Sequence, residues 1–144
     1  MDKNGFSLLE CILALSLFSL ILTLCISIYL TGYRIYREQE YRIETEQHVR
    51  VVLNRISHTL RKNSNVNQSI FVSDGELIIG NIKYYLMNNI VYERIDGGTN
   101  SLGYFISKFE PKLENGYLRV IVEAEINPDY KPFSLEKIYF VGDE

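Results

Sequence analysis

The sequence predicts an α+β protein: a long N-terminal helix, with a membrane half and then an amphipathic half, packed on a C-terminal antiparallel β-sheet. Three observations carry this. An unbroken apolar run fills residues 6–30. After Gly32 the chain is charged, yet free of proline and glycine for about thirty residues. From Ser69 onward the apolar period turns from helical to alternating, with turn residues at short intervals. The chain thus reads as a leader (1–5), an apolar helix (6–30), its amphipathic continuation (31–63) and a β-rich head (64–144). At 144 residues, one head plus one appendage is the natural reading.

The apolar run, FSLLECILALSLFSLILTLCISIYL, holds one charged residue, Glu10, and neither glycine nor proline. As a helix it would extend about 37 Å, enough to cross a hydrocarbon core of about 30 Å. Its serines and threonine can return their hydroxyls to helix carbonyls, so they weigh little against insertion. Glu10 is the anomaly, because an ionised side chain in lipid costs about 2.5 to 3.5 kcal/mol on insertion scales. Either it lies close enough to an interface to reach water and headgroups, or it pairs with a cation from another molecule.

Beyond Gly32, the expected place for a bend, Val49, Val52, Leu53, Ile56 and Leu60 recur at three- and four-residue spacing and form one stripe. Lys62, Asn63, Ser64 and Asn65 mark the helix end. The continuous rod would measure about 85 Å. Tyr29, Tyr33, Tyr36 and Tyr41 ring the exit from the apolar run; interfacial tyrosines put rings among headgroups and hydroxyls in water, which accounts for the first three, and contacts with other subunits are the alternative.

In the head, strands are expected at 69–73, 76–79, 82–86, 90–94, 102–109, 117–126 and 135–141. Asp74-Gly75, Gly80-Asn81, Asn88-Asn89, Gly97-Gly98, Asn115-Gly116 and Pro128 punctuate them. In YLRVIVEAEI, Leu118, Val120, Val122, Ala124 and Ile126 alternate with mostly polar residues, so one face is committed to a core. The helical stripe is the natural cover for that core.

A net charge of -3 gives no electrostatic footprint for nucleic acid, which argues against strong binding by direct charge. Cys11 and Cys25 both lie in the apolar run and read as small buried apolar residues, leaving the head no disulfide. His48 and His58 lack a companion at ligand spacing and read as solvated, so no metal or cofactor is expected. Glu123 and Glu125 share a strand face and read as solvating it. No catalytic constellation emerges, and the expectation is that the protein is not an enzyme.

The junction between leader and run is the most specific motif. The leader MDKNG ends in glycine and is followed by Phe6, Ser7, Leu8, Leu9 and Glu10. KNG before FSLLE resembles the cleavage and methylation motif of type IV prepilins. The resemblance implies that a prepilin peptidase cuts between Gly5 and Phe6 and methylates the Phe6 amine, and that Glu10 contacts neighbouring subunits during assembly. A carboxylate on one helix can neutralise a buried amine on the next, and head-to-tail pairs of this kind propagate without closing. The head is broadly similar in element order, including its ERIDGG turn, to J-type minor pseudopilins and to a Gram-positive competence minor pilin.

The implied role is therefore a minor pilin or pseudopilin of a type IV pilus, competence pilus or type II-like secretion filament. The implied partners are other pilin or pseudopilin subunits, the peptidase, an assembly platform in the cytoplasmic membrane, and lipid before assembly. The resemblance puts the N-terminus in the cytoplasm and the head outside. Positive-inside counting favours the reverse, since Lys3 is offset by Asp2 while Arg34, Arg37 and Arg42 follow the run. A secretory signal would be shorter, with a small-residue cleavage site at its end, and Leu24 fits poorly before a lipidated Cys25. The competing reading is a single-pass anchored binding module that does not polymerise; a membrane-tethered enzyme comes third.

Overall fold

A computed structural model describes residues 7–63 and 69–142, the side chain of Asn63 excepted. The architecture is α+β: among the described residues, one helix, α1 (Leu8–Asn63), is followed by eight strands, all paired antiparallel. Two compact units divide the chain, Met1–Gln39 and Glu40–Glu144. α1 is continuous in secondary structure through Gly32, where a bend was expected, and a Cβ there would meet nothing within 4 Å.

In the second unit the predicted stripe does what its spacing requires. Val49, Val52, Leu53 and Ile56 are buried and Leu60 packs at the margin of the core. Each buried aliphatic side chain contributes about 1.5 to 3 kcal/mol, so the helix is held to the strands mainly by this one face. The strands form two sheets rather than one. β1 (Ile70–Ser73), β2 (Glu76–Ile79), β3 (Ile82–Met87), β4 (Ile90–Ile95) and β5 (Gly98–Gly103) make a five-stranded meander in sequence order. β6 (Ile106–Glu114), β7 (Tyr117–Ala124) and β8 (Phe133–Phe140) make a three-stranded one.

Positive φ at Asp74 and Gly75, at Asn88 and Asn89, and at Asn115 and Gly116 matches two-residue hairpin turns in the left-handed region. The strand expected at 102–109 is instead split. β5 ends at Gly103, β6 starts at Ile106, and between them Phe105 has φ +60, a conformation no turn residue announced. This corner joins the sheets: the Ile106 N–H donates to the Asn89 carbonyl at 2.9 Å, and the Glu125 N–H to the Phe105 carbonyl at 2.8 Å. β7 follows the alternation read from sequence, with Leu118, Val120, Val122 and Ala124 buried, but it ends before Ile126.

Candidate functional site

The first unit presents one site, the start of α1. Ser7 precedes the helix and Glu10 sits in its first turn. The Glu10 Oε2 accepts the Ser7 N–H at 2.9 Å, and the Glu10 N–H donates to the Ser7 hydroxyl at 3.3 Å. The four residues S-L-L-E therefore form a reciprocal capping box, in which the cap hydroxyl and the carboxylate three residues on each satisfy a main-chain donor. The carboxylate also lies at the positive end of the helix dipole. The S-x-x-E spacing is legible in the sequence as a helix start. Gly5 and Phe6, the expected cleavage and methylation residues, lie outside the described residues.

Every residue from Ser7 to Tyr36 is exposed, including Leu8, Ile12, Phe18 and Ile28. The polar groups within this stretch are satisfied locally: Ser16 donates to the Leu13 carbonyl, Ser19 to Ser16, Thr23 to Ser19 and Thr31 to Ser27, each at 2.8 Å. The segment thus has an apolar surface on all sides and no unmet side-chain hydroxyl among these four. It is long and apolar enough to cross a membrane. Cys11 and Cys25 are free thiols on this exposed surface, not the buried residues expected. Among the described residues no group of three or more His, Cys, Asp or Glu side chains could hold a metal.

The head holds a polar cluster that sequence reasoning missed. Glu93 on β4 is 1 % exposed, in phase with Val91 and Ile95 on the inward face. Arg55 from α1 meets it with two parallel bonds, Nε to Oε1 at 2.8 Å and Nη2 to Oε2 at 2.9 Å. The Tyr84 hydroxyl donates to the same Oε1 at 2.9 Å and lies 2.6 Å from the Thr59 hydroxyl. Burial, reinforced by the adjacent Glu93 carboxylate, pushes the Tyr84 phenol well above its ordinary pKa, against the opposing Thr59 bond. The cluster fastens α1 to β3 and β4; among the described residues no buried side-chain polar atom lacks a partner, which gives the cluster the character of a lock.

On the other sheet, Tyr139 donates to the Leu53 carbonyl at 3.0 Å, and Lys137 to the Ser57 hydroxyl at 2.9 Å. His48, read as solvated, is half-buried: its ring meets Tyr104 and Phe105 edge-on at 5.6 and 5.7 Å and caps the sheet corner. His58 is exposed, as expected. Tyr41 is half-buried against Tyr130 at 5.0 Å, so it serves the head. A shallow groove of about 470 Å³ runs between β1 and β6, lined by Phe71, Val72, Pro111 and Leu113 among others. Its lining brings no nucleophile against a base.

Comparison with protein-family models, with curated proteins and with solved structures returns no match.

Proposed function

We propose that this chain is a minor pilin or pseudopilin subunit, made as a membrane-inserted precursor and activated for filament assembly by removal of residues 1–5. The observation that carries the reading is the placement of Glu10: the single charge of the apolar run stands four residues after Phe6, directly behind a glycine-ended polar leader. A plain membrane anchor has no use for that arrangement. The wholly exposed apolar surface from Leu8 to Leu30 supports the reading too, because such a surface requires lipid or other helices around it.

In this mechanism a prepilin peptidase cuts between Gly5 and Phe6, and the apolar helix stays in the cytoplasmic membrane with the head outside. The new, methylated Phe6 amine is a cation in a medium where a lone cation is costly. An assembly platform moves the helix from lipid into a bundle of other pilin subunits, where Glu10 of one subunit neutralises the Phe6 amine of the next. The mass of the purified native protein tests the premise. The expected chain begins at methylated Phe6; a chain retaining Met1 overturns the proposal and leaves an anchored module that does not polymerise.

A further inference from the structure

Among the described residues four strand edges border the two sheets: β1 and β5 on one, β6 and β8 on the other. Proteins blunt unpaired edges with short strands, glycine, bulges, proline or charge. Three of the four carry them in the backbone itself. β1 has only four residues. β5 begins and ends in glycine, is polar at Thr99, Asn100 and Ser101, and meets β4 through an irregular register. β6 has Pro111, which offers no N–H, among Lys108, Glu110 and Lys112. β8 carries the fewest: eight residues without proline or glycine, paired to β7 without a register shift, with one acid, Glu136, and one base, Lys137, as its charges. Its exposed face carries Ile138 at 54 % and Phe140 at 70 % exposure.

We propose that the free edge of β8 docks, antiparallel, on β8 of a second copy of this chain. The main chain is arranged for it. The Val141 N–H donates to the Gly116 carbonyl at 2.9 Å, and antiparallel ladders bond at alternate residues. Residues 135, 137 and 139 therefore turn their main-chain groups to β7, while 134, 136, 138 and 140 turn theirs outward. The outward donors and acceptors and the exposed Ile138 and Phe140 belong to the same set of residues.

The strand is also complementary to itself. One antiparallel register sets Ile138 opposite Ile138, Glu136 opposite Phe140 and Lys137 opposite Tyr139. No like charges meet, and the Lys137 ammonium, already 5.4 Å from the Tyr139 ring centroid within one chain, finds a second ring across the seam. Sliding by two residues toward greater overlap puts Lys137 opposite Lys137, and a further two puts Glu136 opposite Glu136, which like-charge repulsion disfavours. The product is a six-stranded sheet across a two-fold axis, closed at two copies. It does not depend on cleavage at Gly5, so it stands or falls separately from the proposed function.

Disulfide trapping in the full-length, membrane-embedded chain tests the register, with Cys11→Ser and Cys25→Ser as background. Ile138→Cys is expected to give an oxidised dimer. Glu136→Cys alone is expected to stay monomeric, because its two copies stand about 13 Å apart along the seam, whereas co-expressed Glu136→Cys and Phe140→Cys chains link to each other. Adding Ile138→Pro to that pair removes an outward N–H only, and is expected to abolish the link while native-like circular dichroism persists. Should Ile138→Pro unfold the head, Ile138→Lys serves the same purpose by opposing two cations. Absence of a dimer from Ile138→Cys, an equal dimer from Glu136→Cys alone, a link that survives the blocking variant, or trapping of a different polypeptide in place of a second copy each overturns the proposal.

Discussion

The Glu10 carboxylate accepts the Ser7 N–H at 2.9 Å, and the proposed assembly gives the same group a second role, neutralising a neighbour's amine. These roles separate by substitution, because glutamine can hold a capping box while carrying no charge. Glu10→Ala removes both and costs the helix start about 1 kcal/mol. Glu10→Gln removes only the charge. If assembly uses the charge, both variants are processed yet fail to enter filaments, as sheared-fraction immunoblots would read; wild-type incorporation of Glu10→Gln would reduce the residue to a cap. In the head, Arg55→Ala strands the buried Glu93 carboxylate. Arg55 is itself 41 % exposed, so the loss is placed below that for a fully buried pair, at about 2 to 3 kcal/mol by urea unfolding, with Arg55→Lys intermediate for want of the second bond. Tyr84 adds a pH dependence. Unfolded, its phenol titrates near pH 10; folded, it keeps its proton to higher pH because of burial. Its contribution is full below about pH 10 and falls as pH rises above that, since the unfolded chain then gives up the proton first. Tyr139, also raised by burial, acts in the same direction. Melting temperatures between about pH 8 and about pH 11 should fall at the alkaline end, less steeply in Tyr84→Phe.

Among elements, what could be read in advance depended on whether chemistry or environment fixed the backbone. The stripe from Val49 to Leu60 and the turns at Asp74-Gly75, Asn88-Asn89 and Asn115-Gly116 are local signals, visible because spacing and left-handed propensity belong to the residues themselves. The capping box is equally local. The β5–β6 corner is not: Tyr104 and Phe105 look like strand residues, and Phe105 reaches φ +60 only because His48 and the sheet junction hold it there. Glu93 went unnoticed because alternation marks which face a residue takes, and Arg55, whose guanidinium meets its carboxylate, is 38 residues away in sequence. The division of eight strands into two sheets likewise depends on that corner. Gly103 shows how tightly it is built, since an added Cβ would lie 2.7 Å from Val52 Cγ2 and 3.1 Å from the His48 carbonyl oxygen. Gly103→Ala is therefore expected to lower stability by about 1 to 3 kcal/mol through overpacking. Gly32→Ala, with open space around it, should leave the same urea midpoint unchanged.

Taken whole, the chain distributes its apolar surface differently over its two units. The unit Glu40–Glu144 turns Val49, Val52, Leu53 and Ile56 inward onto two sheets and contains no cysteine, so its stability depends on packing and hydrogen bonds in water. The unit Met1–Gln39 covers none of its leucines and isoleucines among the described residues. At about 25 cal/mol per Å² of apolar surface, an exposed helix of this kind is strongly driven out of water. The two should separate on cutting the chain before Glu40. A fragment of residues 40–144 begins with Glu40 and Glu44 near the new helix N-terminus, where the dipole favours acids. It should be soluble without detergent and unfold in one cooperative transition that reductant does not move. The full chain should float with lipid vesicles and resist extraction by high salt, as hydrophobic insertion requires and surface charge does not. A fragment that binds hydrophobic dye and melts without cooperativity would mean that the head needs the apolar segment to fold. A full chain released from vesicles by salt would mean that the exposed helix is covered by protein, not lipid.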